Sequence, residues 1–462
     1  NSGDLYTSST IVSLDVAASG AADMFISNAS DCSVGVWESY STPRTGWVLS
    51  QTNALANVYV KYRDAVGDET ACTNDSITHD SIAPSAGSLV INTGDASTNS
   101  TFVNLGIGAT DAVLMKVATG SSCLDGTWEA YATSDTTTLS ATNTTVGVYI
   151  SFSDIAGNES PCYGDTIIHD STPPASNTIS LDAGATHTNG ATVAVSLNSV
   201  GASEMFISNA SDCSVGAWES FSSSKAGWAL GTLNANSSVY VKFIDSNLNE
   251  TTCISDDIIH DNIAPTASTL AINSGDALTN LSSVNLALAS TGATEQFVSN
   301  ASDCSIGSWE PYAVSKAGWS LGQVNATATV YVKYRDAADN ETSCVNDTIV
   351  HDSVGPTAGS VVINSADIYT NQTSANLTLS ASVDATEMYI TNASDCTGGS
   401  WVSYGTTYNG WTLGQTNTTA IVYTKFRDAA GNESACYSDS IIHDSSVPTA
   451  NSLAIDGGSD YT

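Results

Sequence analysis

Basic residues are scarce in this chain. Eleven Lys and Arg stand against 47 Asp and Glu in 462 residues, a formal net charge of −36. A polyanion of this kind is repelled by phosphate backbones and by anionic bilayers, which argues against nucleic acid and membrane surfaces as partners. No run of 18 apolar residues occurs, so no membrane-spanning helix or membrane insertion is expected. No signal peptide is seen, and the opening at Asn1 without Met reads as a processed chain or a piece of a longer one. No Cys-x2-Cys spacing supports a zinc site. A nucleophile elbow, a phosphate loop and a one-off His/Asp/Ser cluster are all missing, so no enzymatic activity is expected. Charge of either sign is sparse, at 13% of residues, in a background of Ser, Thr, Asn, Ala and Gly. That composition is frequent in secreted surface proteins. The surplus of carboxylates suits a medium with divalent cations, or with salt enough to screen self-repulsion.

What is present is one unit repeated. Cys-x4-Trp recurs at Cys32/Trp37, Cys123/Trp128, Cys213/Trp218, Cys304/Trp309 and Cys396/Trp401. A second cysteine follows each, at Cys72, Cys162, Cys253, Cys344 and Cys436. A period of about 90 residues is long enough for each copy to close its own core. The units are 1–82 (lacking its first strand), 83–172, 173–263, 264–354 and 355–446, with 447–462 as the first strand of a sixth. Two cysteines per unit, in phase, read as five disulfides in an oxidising compartment. Pairing within each repeat is expected; Cys72 with Cys123 of the next repeat is the alternative. Pairing within a repeat requires the loop Asn28–Asp31 to fold back along a sheet edge, because a bridge needs Cα atoms within about 7 Å.

Each copy opens after a Pro-containing joint such as Ile82-Ala83-Pro84, followed by an apolar stretch such as Ser88 to Ile91. Alternating runs come next, Val12-Leu14-Val16 in the first copy and Val284-Leu286-Leu288 in the fourth. The strongest strand is Val58 to Arg63, with Val58, Val60 and Tyr62 on the core face and Tyr59, Lys61 and Arg63 on the other. Period-two alternation, β-branched and aromatic residues, and frequent turn clusters predict an all-β tandem array of five sandwich domains. Trp37 and its four counterparts are expected to plug the cores.

Two stretches carry a resemblance. Trp309-Glu310-Pro311-Tyr312 through Gly318-Trp319 is one; Val422-Tyr423-Thr424-Lys425-Phe426-Arg427-Asp428-Ala429-Ala430-Gly431-Asn432-Glu433-Ser434 is the other. Over all five copies the chain resembles the Ig-like, fibronectin type III-like repeats arrayed in large secreted bacterial adhesins and in accessory regions of extracellular enzymes. The resemblance implies an extracellular or cell-surface location and a spacer or adhesive role. Cysteines are not general in such repeats, so it implies no disulfide connectivity. In related surface repeats calcium stiffens domain junctions, which makes calcium a candidate cofactor here.

The candidate calcium residues lie in a recurring Asp-x-x-x-Asp/Asn loop: Asp64 and Asp68, Asp154 and Asn158, Asp245 and Asn249, Asp336 and Asn340, Asp428 and Asn432. Carboxylates at the joints, Asp80, Asp170, Asp261, Asp352 and Asp444, add further oxygens. The competing reading is that Asp and Asn close a turn by bonding their own backbone. His79, His169, His260, His351 and His443, one per repeat, read as strand-end residues bonded to the neighbouring carboxylate. Trp47, Trp228, Trp319 and Trp411 each follow a Gly; the second copy has Thr137-Thr138 instead. A residue that one copy can lose is a candidate for sugar stacking or inter-chain contact, the alternative being a packing residue. Asn28, Asn209, Asn300 and Asn392, all in Asn-Ala-Ser-Asp-Cys, are candidate glycosylation sites.

The first repeat lacks the apolar stretch that opens the others, and Val447 to Asp456 matches that missing piece. Two arrangements account for both observations: a window cut from a longer array, the preferred one, or subunits that donate the strand head to tail. The functional expectation is the structural repeat region of an extracellular filament or giant surface adhesin, self-associating, acting as a disulfide-stapled rod. The alternatives are a carbohydrate-binding adhesin module, with a glycan or cell-surface receptor as partner, and an accessory spacer of a secreted hydrolase.

Overall fold

Alternating apolar residues in segments too short for helices, bounded by Gly, Asn, Asp and Pro, leave pleated strands as the way to bury one face. A computed structural model describes residues 2–449, and among them the only helical elements are short 3-10 turns. The last residues of the expected sixth-repeat strand, 450–462, lie outside the described residues. The chain forms two compact units. One comprises Asn1–Ala183, Ala194–Trp228 and Ser238–Asp256; the other comprises Gly184–Val193, Ala229–Ser237 and Asp257–Thr462. Among the described residues ten sheets are formed, two per repeat.

The fourth repeat, wholly inside the second unit, displays the plan. Its strands are β1 (Thr266–Ile272), β2 (Leu278–Thr279), β3 (Ser283–Thr291), β4 (Glu295–Ser299), β5 (Glu310–Pro311), β6 (Ser315–Ser320), β7 (Thr327–Arg335) and β8 (Val345–His351). One sheet has the order β1-β3-β6 and the other β2-β8-β7-β4-β5. All pairings are antiparallel except β2 with β8. This is the strand order of an immunoglobulin- or fibronectin type III-like sandwich. The second repeat, in the first unit, and the fifth have the same two orders. Among the described residues the first repeat has no counterpart of β1, and its smaller sheet consists of Ile11–Leu14 and Arg44–Val48.

Alternation sets the core. Val284, Leu286 and Leu288 of β3 face Ala328, Val330, Val332 and Tyr334 of β7, all buried. Each Val or Leu among them contributes about 1.5–3 kcal/mol by leaving water. The in-facing and out-facing sets in the strongest strand are as the alternation requires: Val58 is buried, and Lys61 and Arg63 lie on the opposite face.

The Cys-x4-Trp tryptophans are not core plugs. Trp37, Trp218, Trp309 and Trp401 are half-buried and Trp128 is exposed, all on the outer face of the five-stranded sheet. In the fourth repeat the Trp309 ring meets Phe297 edge-on at 5.5 Å, with Lys333 at 5.1 Å and Arg335 at 4.5 Å from its centroid. Glu341 and Glu295 then pair those two cations, at 2.7 and 2.5 Å. The correction has a physical cause. Lys and Arg stems on the outer face of β7 cover an indole as well as a core would, and the ring quadrupole attracts their charges. The second repeat reaches the same end from the other strand: Lys116, where the other copies have an aromatic residue, sits 4.6 Å above Trp128.

Candidate functional site

The cysteines pair within repeats: Cys32–Cys72, Cys123–Cys162, Cys213–Cys253, Cys304–Cys344 and Cys396–Cys436, with Cα separations of 5.9–6.4 Å. The loop after β4 does fold back, and its turn chemistry shows how. In the fourth repeat Ser299 Oγ accepts from the Ala301 amide and donates to the Ile306 carbonyl. Cys304 N–H then donates to the Ala301 carbonyl, with Cys304 in the left-handed region at φ 51°. The Ser305 hydroxyl and amide hold the Asp303 carboxyl below its ordinary range. A depressed carboxyl stabilises the fold above the unfolded value and loses that contribution as pH falls into acid.

The four Gly-Trp tryptophans and the four in-phase sequon asparagines prove to be partners. Trp47, Trp228, Trp319 and Trp411 donate their indole N–H to the side-chain oxygens of Asn28, Asn209, Asn300 and Asn392, at 2.9–3.1 Å. The Asn amide of three of these pairs also donates to the carbonyl after the tryptophan, Val48, Ser320 or Thr412. Trp47, Trp319 and Trp411 are half-buried, packed against the rims of their cores. What aims each ring is the glycine before it. Gly46, Gly227, Gly318 and Gly410 have φ of 68–82°, and in the first, fourth and fifth repeats the ladder slips by one residue there. An extra residue at a glycine bulge turns the following side chain toward the sheet edge.

The second repeat tests this by lacking all of it. Its ladder from Phe102↔Thr138 to Gly106↔Ser134 is continuous, Thr137 stands opposite Val103 where Trp would be, and Thr119 stands where the other copies have Asn. Loss of the bulge residue also accounts for its cysteine separation of 39 rather than 40. Indole, bulge and asparagine come and go together, which marks them as one packing device. Trp319→Phe, which keeps the ring area but removes the donor, is expected to cost the fourth repeat about 1 kcal/mol. Urea unfolding followed by fluorescence measures it, and no change would dissociate the pair.

The Asp-x-x-x-Asn loops, singled out as calcium candidates, are brought to the joints between repeats. In the fourth repeat Asp336 Oδ1 accepts from the Ala338 and Asn340 amides, while Asp336 Oδ2 accepts from Asn340 Nδ2 at 3.0 Å. The same Asn340 Nδ2 donates to the Asp261 carbonyl of the preceding repeat at 2.7 Å. Asn158 spans Asp154 and the Asp80 carbonyl, Asn249 spans Asp245 and the Asp170 carbonyl, and Asn432 spans Asp428 and the Asp352 carbonyl. The four aspartates are buried. A buried carboxylate and a carbonyl of the preceding repeat are satisfied by one amide, which has the two N–H groups the geometry needs. The first repeat differs: Asp64 Oδ1 binds the Val66, Gly67 and Asp68 amides, and Asp68 offers a carboxylate in place of the amide.

Most of the rest of the joint is engaged as well, although Nε2 of His79, His169, His260 and His443 is buried with no partner among the described residues. His351 does not bond its neighbouring carboxylate; its Nδ1 accepts from the Asn325 amide at 2.8 Å, and the other four histidines make the same bond. Asn325 Oδ1 in turn accepts from the Ser353 amide and hydroxyl. Asp352 Oδ1 accepts from the Val354 amide, as Asp80, Asp170, Asp261 and Asp444 do from residues two ahead. The joint carboxylates therefore form turns that set the linker's direction. Among the described residues no group of three or more His, Cys, Asp and Glu is placed to hold a metal ion.

No family model matches the chain and no curated protein matches it. Solved structures similar to it include the FN1-FN3 domains of chicken CNTN1, at 12% identity, with 58% of this chain and all of that one covered and a TM-score of 0.25. Fibronectin(III)-like modules of Clostridium thermocellum CbhA match at 13% identity over 38% of this chain and 94% of theirs, with a TM-score of 0.24.

Proposed function

We propose that this chain is the structural repeat region of an extracellular filament or giant surface adhesin, and that its work is mechanical. The observation that carries the reading is the four-fold recurrence of the Asn clasp, each one tying a disulfide-closed domain to its predecessor. Side chains that suggested ligand attachment or binding in the sequence are spent on holding the chain to itself: sequon Asn on indole, loop Asp on amides. A catalytic or receptor site would need such groups left open. Oxidised cysteines, two per domain, suit a compartment outside the cell. Electron microscopy of the native material tests the reading: these domains are expected inside an extended extracellular assembly, and recovery as a dispersed monomer would sink it.

The reading also assigns stiffness at the joints to the amide clasp rather than to calcium. The Asp336 and Asp261 oxygens already hold N–H donors and need no cation to offset them. Chelation by EDTA is therefore expected to leave the thermal unfolding profile unchanged. A fall of several degrees, restored by added calcium, would place the ion at these loops after all.

A further inference from the structure

The geometry points to a covalent cross-link that the fourth repeat makes by itself: an amide bond between the Lys316 amine and the Gln296 side-chain carbonyl, formed with loss of ammonia and promoted by Glu310. The inference rests on the fold of this domain and is independent of the filament reading.

Position 296 is a core position of β4. Its counterparts are Met24, Met115, Met205 and Met388, all buried, and the fourth repeat alone has a carboxamide there. Gln296 is 2% exposed, and both ends of its amide are engaged. Its Oε1 accepts from the Ala313 amide at 3.1 Å, and its Nε2 donates to Glu310 Oε1 at 3.0 Å. The reverse orientation would set the amide oxygen against a carboxylate. The same Glu310 Oε1 accepts from Lys316 Nζ at 2.8 Å, and Glu310 Oε2 accepts from it at 2.6 Å. Glu310 stands opposite Gln296 on β5, the edge strand of one sheet, and Lys316 lies on β6, the edge strand of the other. The three side chains therefore meet at one edge of the sandwich.

The other copies contain these pieces separately. The third repeat has Lys225 on Glu219, with Met205 beside them. The first has Arg44 on Glu38, with Met24. The second has Glu129 and Asp135 and no amine, and the fifth has Val402 and Tyr408. An ion pair at this edge needs no amide. Gln296 adds an electrophile to an amine and a carboxylate that are held together.

Each group has a part in transamidation. Glu310 takes a proton from the Lys316 ammonium, and the free amine attacks Gln296 Cδ. The Ala313 N–H on Oε1 stabilises the oxyanion that forms. Glu310 delivers its proton to Nε2, and the Cδ–Nε2 bond breaks. The leaving ammonia carries off the second proton of the attacking nitrogen. An ammonium and a primary amide thus become a secondary amide and an ammonium ion, and Glu310 is ionised again. Attack needs Nζ within about 3.5 Å of Cδ. Amine and amide share one carboxylate oxygen, and the flexible lysine stem closes the remaining gap. Burial of Gln296 keeps water off Cδ, while Lys316, 28% exposed, leaves a way out for ammonia. Desolvation pushes the Glu310 carboxyl up, but the bonds from Lys316 and Gln296 more than offset it and hold it below its ordinary range. The proton-transferred form is a minor one, so the reaction is slow; it needs to occur once per chain. The product ties β4 to β6 across the two sheets, whereas the Cys304–Cys344 bridge joins the loop after β4 to the start of β8.

Intact-mass spectrometry of the full chain, after long incubation at neutral pH, tests this. A mass one ammonia below that of the sequence with five disulfides is expected. Trypsin should fail to cut after Lys316, and fragmentation should place the link between Gln296 and Lys316. Gln296→Met, Lys316→Arg and Glu310→Gln should each show the full mass of their own sequences. The first two install residues that other repeats carry at these places, Met205 and Arg44, so folding is retained. Full mass in the unaltered chain overturns the proposal. So does an ammonia loss that persists in Gln296→Met or maps elsewhere, because succinimide formation at an asparagine also releases ammonia. A link that forms equally fast in Glu310→Gln overturns the part given to Glu310.

Discussion

Removing both cysteines of the fourth repeat, Cys304→Ser with Cys344→Ser, is expected to destabilise that domain by about 4 kcal/mol, the loop-closure entropy of a segment of about 40 residues. The bridge spans a Cα–Cα distance of 6.4 Å and joins the loop after β4 to the start of β8, two elements no short turn connects. Against a whole-domain stability of 5–15 kcal/mol this is a large fraction. For a domain of this size it lowers the unfolding midpoint by roughly 15–30 °C. Calorimetry should show one transition moving and the rest staying, because each of the other repeats keeps its own bridge. A second readout is mechanical. Oxidised, each repeat hides a 40-residue loop from an applied force; reduced, it releases about 140 Å more length at roughly 3.5 Å per residue. If neither the midpoint nor the released length changes on reduction, the bridges are not what holds these domains closed.

The second large effect is expected at the joints. Asn340→Asp replaces an amide that donates twice by a carboxylate that donates nothing. It sets that charge against the buried Asp336 carboxylate, 3.0 Å away, and the Asp261 carbonyl, 2.7 Å away. Two lost hydrogen bonds, one of them to a buried carboxylate, plus a like-charge contact cost about 2–4 kcal/mol. The sign of the pH dependence identifies the cause. Below the ordinary carboxylate range the new side chain protonates and regains a donor, so the damage should shrink as pH falls. Asn340→Ala loses the same bonds but introduces no charge, and should show no such recovery. Unfolding midpoints of the three proteins at pH 7 and pH 4, with proteolysis of the linker around Ile263-Ala264-Pro265, make the measurement. Equal damage at both pH values in Asn340→Asp would remove the like-charge contact from the account.

The architecture was legible because its signals are local and repeated five times. Val330, Val332 and Tyr334 alternate with Lys333 and Arg335, and that pattern alone names the inward face. Trp309 was misassigned for the complementary reason. Hydrophobicity says an indole should be covered but not by what, and here Lys333 and Arg335 cover it from outside. The clue lay in those two cations, which share the outer face of the neighbouring strand. The Asn300–Trp319 pair was likewise visible only in part: both residues were singled out, and the second repeat lacks both, yet they lie 19 positions apart and only the bulge at Gly318 aims one at the other.

The amino-acid order by itself determined the repeat, the strand periodicity, the inward faces and the number of cysteines per domain, because each depends on residue type and spacing along one strand or one period. Tertiary structure alone decided which groups meet across the sandwich and across the joints. Asn340 becomes a clasp only when a carbonyl of the preceding domain stands 2.7 Å away. Hydrogen bonds and packing are short-ranged, and chain positions 65 to 80 apart are brought within that range by folding alone.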